Sequence, residues 1–190
     1  MPRSNMFTRE QVLEAALALT REKGFAAVSA RSLGERLGTT SRPIFSHFEN
    51  MADVQRGIID AANERYQTFR REETASGKYP PYKACGMAYI RFAKEERELF
   101  RLLFMRDRSQ ESVKENPEEM EALIGLICRQ VNIGREAARL FYLEMWAYTH
   151  GIASMIATGY YDWDEALAAR ALTDVYEGLK HRYENGGADR

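Results

Sequence analysis

The sequence predicts an all-α protein in two parts, and three observations carry that expectation. Apolar residues recur at spacings of three and four along nearly the whole chain. No stretch bounded by turn residues alternates apolar and polar side chains as a half-buried strand would. The run EETASGKYPPY reads as a loop, a boundary near residues 74–82 between a short front half and a longer back half.

The elements follow in order. Thr8 and Gln11 form a capping-box pattern that opens a first helix, with Val12, Leu13, Ala16, Leu17 and Thr20 on one face and Gly24 as its C-cap. Phe25, Ala27 and Val28 read as a buried connector. Ser29 then caps a second short helix, ARSLGERL, ending at Gly38. Thr39 or Thr40 would cap a third, ending near His47 or Phe48. Pro43 falls in its first turn, where no intrahelical hydrogen bond is lost, while Arg42 before it is pushed from helical dihedrals. Asn50 and Asp53 restart the chain as a long fourth helix over roughly 51–73, with Val54, Ile58, Ala61, Ala62, Tyr66 and Phe69 as its apolar positions.

Beyond the loop, CGMAYIRFAKEERELFRLLFM reads as one bent helix or two abutting ones. RDRSQESVKENPEE is a solvated loop whose end caps EMEALIGLICRQV. Gly134 precedes a long helix, REAARLFYLEMWAYTHGIASMIATG, apolar nearly all round and so in need of partners on two sides: the domain core, and a second subunit as a candidate for the other. A last helix begins at Asp162 with Glu165 completing a capping-box pattern, and carries a stripe of Leu167, Ala168, Ala171, Leu172, Val175, Tyr176 and Leu179. His181 falls near its C-terminus in solvent, and the tail ENGGADR is expected to fray.

Composition bounds the function. Hydrophobic residues make up 45 % of the 190 and charged ones 29 %, values of a folded globular protein. There is no apolar run of membrane-spanning length and no apolar core in MPRSNMFTRE, so neither a membrane partner nor a signal peptide is expected and a cytoplasmic location is the default. Cys85 and Cys128 lack CxxC spacing and a nearby His pair; both read as buried small hydrophobes, with no metal or cofactor implied. The formal net charge is −1, but residues 1–50 carry seven Lys/Arg against five Asp/Glu, which gives the front end the sign that suits phosphate. GxSxG, HExxH, GxGxxG and P-loop patterns are absent, so no enzyme is expected.

The second and third helices around Gly38, braced by the first, match a helix-turn-helix, with Gly34 letting the two short helices approach closely. The third helix would enter the major groove. Thr40, Ser41 and Arg42 supply polar reach, Arg42 suits a guanine, and the Pro43 ring suits a thymine methyl.

These residues resemble the TetR/AcrR family of bacterial transcriptional regulators. The likeness runs from VLEAAL through GFAAVSARSLGERLGTTSRPIFSHF to the helix start after Asn50, over roughly residues 8–60. It implies that Arg31 reaches a base and that Ser29, Phe45 and His47 lie at phosphate contacts, with Ser46 in the same segment. Phe45 departs from a usual tyrosine, Met51 from a usual lysine, and Arg42 stands where glycine or proline is frequent. ELFRLLFM and WAYTHGIASMIATG resemble the subgroup whose regulatory domain carries a Trp-x3-His-Gly signature. The resemblance implies a helix-turn-helix domain over 1–50 and a larger helical ligand-binding and dimerisation domain over 51–190.

It also implies a ligand-responsive regulator, a repressor in the leading reading. As a homodimer it would bind a double-stranded, palindromic operator with recognition helices about 34 to 36 Å apart, and release would follow entry of an apolar or aromatic small molecule. Tyr89, Phe92, Phe104, Met105, Phe141, Tyr142, Met145, Trp146 and His150 are the candidate ligand-pocket residues. Plain core is the competing reading for all of them, and for Trp146 and His150 a metal site is a third that lacks a second ligand cluster. Ile152, Met155, Ile156, Leu172, Val175, Tyr176 and Leu179 are the candidate dimer interface. The alternative function is a helical protein-interaction module without specific DNA binding.

Overall fold

The computed structural model describes residues 7–109 and 117–185. Within them all regular structure is helical: α1 (Arg9–Lys23), a 3-10 turn (Phe25–Ala27), α2 (Ala30–Arg36), a second 3-10 turn (Ile44–Ser46), α3 (Met51–Ala75), α4 (Pro81–Glu95), α5 (Arg97–Phe104), α6 (Pro117–Val131), α7 (Arg135–Thr158) and α8 (Glu165–Glu184). No helix among the described residues is long and apolar enough to cross a membrane. The expectations for residues 110–116 and for the end of the tail, 186–190, fall outside the described residues.

The chain forms two compact units. One comprises the chain up to Thr68 together with Glu95–Arg106; the other comprises Phe69–Lys94 and the chain from Asp107 onward. The division therefore falls within α3, not at residue 50 or in the loop at 74–82. Helix α3 is continuous through both units, and the chain returns to the first unit with α5, which packs on α1.

The caps read from sequence are largely present. Thr8 Oγ1 accepts the Gln11 N–H at 3.2 Å while Gln11 Oε1 accepts the Thr8 N–H at 2.8 Å. Gly24 closes α1 at φ 81°, a conformation that favours glycine. Asn50 Oδ1 accepts the Asp53 N–H at 3.0 Å and Asp53 Oδ2 accepts the Glu49 N–H at 3.2 Å, which together launch α3. The last helix differs: its cap is Asp164, whose Oδ1 accepts the Leu167 N–H at 2.7 Å, and Glu165 is instead engaged by Lys78 and by the Tyr79 hydroxyl at 2.9 Å. The run from Cys85 resolves into two helices with Glu96 between them, in an extended-to-irregular conformation (φ −125°, ψ 51°). Cys85 and Cys128 are free and half-buried, less enclosed than expected.

The largest departure is at the third helix. Residues 39–43 are irregular, and only Ile44–Ser46 make a single 3-10 turn, with Pro43 leading in at φ −63°, ψ −27°. Pro43 has no N–H to join a helix begun at Thr39, and its ring would crowd the carbonyl four residues back. Pro43 itself has helical dihedrals and serves as the lead-in to the turn that follows. Phe48 is already buried and Glu49–Asn50 already belong to the start of α3, so one turn is all that fits.

The turn that precedes it depends on Gly34. A Cβ there would lie 2.8 Å from the Thr39 carbonyl oxygen and 3.3–3.4 Å from backbone atoms of Thr40 and Ser41. The Thr39 N–H donates to the Gly34 carbonyl at 2.9 Å, and Gly38 makes the reversal at φ 65°. Because the crowded atoms are backbone, they cannot rotate aside. Gly34→Ala should therefore lose about 1–2 kcal/mol of stability, the overlap outweighing the gain in helix propensity; a wild-type midpoint in urea denaturation would contradict this packing.

Candidate nucleic-acid interface

Helix α2 begins at Ser29, whose Oγ accepts the Ser32 N–H at 3.1 Å, while Ser32 Oγ bonds back to the Ser29 N–H at 2.9 Å and donates to the Ala27 carbonyl at 2.8 Å. This box holds Ser29 in place on the surface. Arg31, the second residue of α2, is exposed and its Nε donates to Glu35 Oε1 at 2.9 Å. An exposed pair of this kind is screened by solvent and adds little to the fold, so a phosphate or a base edge competes with it readily. Arg36 makes a two-point contact with Glu22 of α1, both at 2.7 Å, which ties α2 to α1 and holds the Glu22 carboxyl below its ordinary pKa.

The segment after α2 is anchored from below by Ile44 and Phe48. Ile44 is fully buried, which contributes about 1.5–3 kcal/mol relative to exposure. Phe48 is buried too, with the Arg9 guanidinium 4.9 Å above its ring. Between and before these anchors, Thr40, Arg42, Phe45 and Ser46 face solvent, and Ser41 and Pro43 are half-buried. The exposed rim of this short, tightly held turn thus consists of Thr40, Arg42, Phe45 and Ser46.

Two of the expected contact residues are already engaged within the protein. Ser46 Oγ donates to the Pro43 carbonyl at 2.6 Å. His47 Nε2 lies 2.6 Å from the Phe7 carbonyl oxygen; a carbonyl only accepts, so this nitrogen carries the proton and donates it there. His47 tethers the start of α1 to the turn, a role that no local motif announced because its partner is forty residues away.

In the second unit the candidate pocket residues separate. Phe104 and Met105 belong to the first unit instead, where Phe104 packs edge-on to Tyr66 at 5.3 Å. Phe92 is fully buried against Phe69, and Phe141 is fully buried against Tyr176 and Tyr183, as core. Met145 is buried and Tyr142 half-buried on the same core. What the structure brings together is a triad: Tyr89 of α4 hydrogen-bonds His150 Nδ1 at 2.8 Å, and Trp146 stacks on the His150 ring, 5.2 Å between centroids and 9° from parallel. Burial pushes the His150 imidazole below its ordinary value. Among the described residues no His, Cys, Asp and Glu cluster could hold a metal ion.

The candidate interface residues are also redistributed. Ile152, Ile156 and Leu172 are enclosed in the core of their own unit, and Val175, Tyr176 and Leu179 pack partly buried against it; Met155 is half-buried. The apolar side chains that face solvent are others: Leu140 (51 % exposed), Leu143 (42 %) and Trp146 (41 %) on α7, with Leu167 at the start of α8. Leu140, Leu143 and Ala147 recur at spacings of three and four and share one face of α7. The opposite face, through Ala138, Phe141, Met145 and Ile152, is core.

Two family models match this chain, one in each half. The family model described as bacterial regulatory proteins, tetR family, matches residues 12–56, and the one described as tetracyclin repressor-like, C-terminal domain, matches residues 82–176. The HTH-type transcriptional regulator TtgR of Pseudomonas putida is 27% identical over 74 residues, 39% of this chain and 35% of TtgR, so the match spans about a third of that relative. A TetR-like transcriptional regulator from Rhodococcus sp. RHA1 superposes with a TM-score of 0.67 at 18% identity, covering 98% of this chain and 99% of its own. The multidrug binding protein EbrR, in complex with imidazole, superposes with a TM-score of 0.59 at 19% identity, covering 88% and 93%. At these identities the two structures speak to the fold.

The depressed His150 value has a consequence for stability. The unfolded chain takes up a proton near pH 6.5 while the folded ring resists it, so the unfolded state binds more protons as the pH falls below that point. The stability that the neutral ring contributes is complete above 6.5 and is lost as pH drops through the lower folded value. Urea midpoints measured from neutrality down to about pH 5 should fall more steeply for wild type than for His150→Gln; parallel curves would refute it.

Proposed function

Because the chain belongs to the TetR family of bacterial regulatory proteins, we propose that this DNA-binding transcriptional regulator is a ligand-responsive repressor that binds a palindromic operator as a homodimer. The observation that carries the reading is the rim of Thr40, Arg42, Phe45 and Ser46, held over buried Ile44 and Phe48 inside the segment matched by the family's N-terminal model. Arg42 is the side chain for a base edge, Arg31 and Ser29 approach from the start of α2, and Pro43 fixes the backbone between them. Ser41 lies beside them as a further hydroxyl. Ser46 and His47 serve this reading as bracing, since their donors are spent on Pro43 and Phe7.

The effector site is the Tyr89, His150 and Trp146 triad, whose stacked rings favour an aromatic or apolar molecule. The Trp146, His150, Gly151 run supports the subgroup reading. That a family-fold neighbour is described as multidrug binding is in keeping with such a ligand. A regulator acting on DNA in a bacterium works in the cytoplasm.

The second copy covers α7 through Leu140, Leu143, Trp146 and Ala147, joined by Leu167, since this is the apolar face that the protomer leaves open. Leu143→Glu should turn a dimer into a monomer in sedimentation equilibrium with the helical spectrum unchanged; a dimer that survives the charge would place the interface elsewhere.

Recovery of duplexes from a random-sequence pool tests the recognition half. The protein should enrich a two-fold symmetric site, bind it progressively more weakly as salt rises, and lose about 1–3 kcal/mol of affinity in Arg42→Ala. Absence of any enriched sequence would overturn the assignment and favour a protein-binding role for the front unit.

A further inference from the structure

Glu96 stands between α4 and α5 and is buried, at 8% exposure. Arg21 of α1 grips its carboxylate at two points, Nε to Oε2 at 2.8 Å and Nη2 to Oε1 at 2.7 Å. Arg65 of α3 donates from Nε to Oε1 at 3.1 Å. The backbone carbonyl of the same residue accepts the Phe100 N–H at 2.8 Å and opens α5. One side chain therefore ties α1, α3 and α5 within the first unit.

Those helices are the ones from which the rim is hung. Helix α3 begins three residues after Phe48, at Met51, and α1 holds α2 through Glu22 and Arg36. A change in the angle between α1 and α3 must move α2 and the turn against each other. The tie is also asymmetric. Arg21 and Arg65 keep 39% and 41% of their side-chain surface in water, whereas Glu96 keeps 9%. Neutralising Glu96 lets both guanidinium groups rehydrate, so the tie is lost without leaving a charge stranded in the core.

We propose that Glu96 is a positioning residue for DNA recognition: by clasping Arg21 and Arg65 it sets the angle between α1 and α3 at which the rim matches a base sequence. The proposal rests on the specific DNA binding proposed above. It is tested with a duplex selected by the wild-type protein and a scrambled duplex of equal length, using fluorescence anisotropy well below the melting transition.

Glu96→Gln should keep the helical spectrum, lose roughly tenfold in affinity for the selected duplex, and bind scrambled DNA as wild type does. Glu96→Asp, which restores the charge, should recover part of the loss. Arg65→Gln removes one cation and leaves the Arg21 contact; it should show a smaller loss of the same kind, and it carries the test if Glu96→Gln does not fold. Folded variants with wild-type affinity for the selected duplex, or with equal losses on both duplexes, would overturn the proposal. A wild-type protein that selects no duplex would overturn instead the DNA reading beneath it.

Discussion

The backbone of Thr39–Ser41 occupies the space where residue 34 would otherwise carry a side chain, and the front unit is organised around that approach. With a Cβ at 2.8 Å from the Thr39 carbonyl the turn could not close against α2. Beyond it Pro43 leads into a single 3-10 turn, Ile44–Ser46, before the chain reaches buried Phe48. Ile44 and Phe48 then have to be buried within five residues, and their burial turns Arg42 and Phe45 outward. The exposed rim is thus a consequence of tight packing beneath it. Its residues need not be stabilising themselves, which leaves them at liberty to serve recognition.

Electrostatics divide along the same line. Arg31 with Glu35 and Arg36 with Glu22 are pairs at the surface, where solvent screens them and each is worth little to the fold. Such pairs exchange partners readily when a polyanion arrives. Glu96 differs because its carboxylate is withdrawn from water and shared between two helices. In the second unit the buried Glu73 is engaged by Arg91 at 3.2 Å in a comparable way. Charge near the rim is adaptable and charge inside the units is fixed.

Legibility in the sequence followed interaction range. Thr8, Gly24 and Ser29 act on neighbours three or four residues away, so their roles could be read directly, and so could Gly34, whose partner lies five residues on. Helix α3 and the break in the run after Cys85 were visible from apolar spacing, although spacing alone left one bent helix and two helices equally open. Pro43 marks a helical start in the sequence, but how far the helix runs depends on the burial of Ile44 and Phe48, which no spacing records. His47 with Phe7, Tyr89 with His150 and Glu96 with Arg21 join residues 40 to 75 positions apart, and no local pattern records them. Core and open face are not separable by composition for a related reason: Ile152, Ile156 and Leu172 are as apolar as Leu140 and Leu143, and only the packing of α7 and α8 decides which are enclosed.

Helix α7 shows how that decision constrains function. Over its 24 residues one face is consumed by the core, while Leu140, Leu143 and Ala147 on the other remain in solvent at a cost that an isolated protomer has no evident reason to bear. Trp146 lies at the edge of this open face and also stacks on His150, which bonds Tyr89 of α4. Dimer contact and effector contact would then share one indole ring. A molecule that displaced the Trp146 ring from His150 would disturb the open face at the same time, since Leu143 lies three residues away on the same side of the helix. Under the proposed function, effector contact and subunit contact therefore meet on one helix, α7.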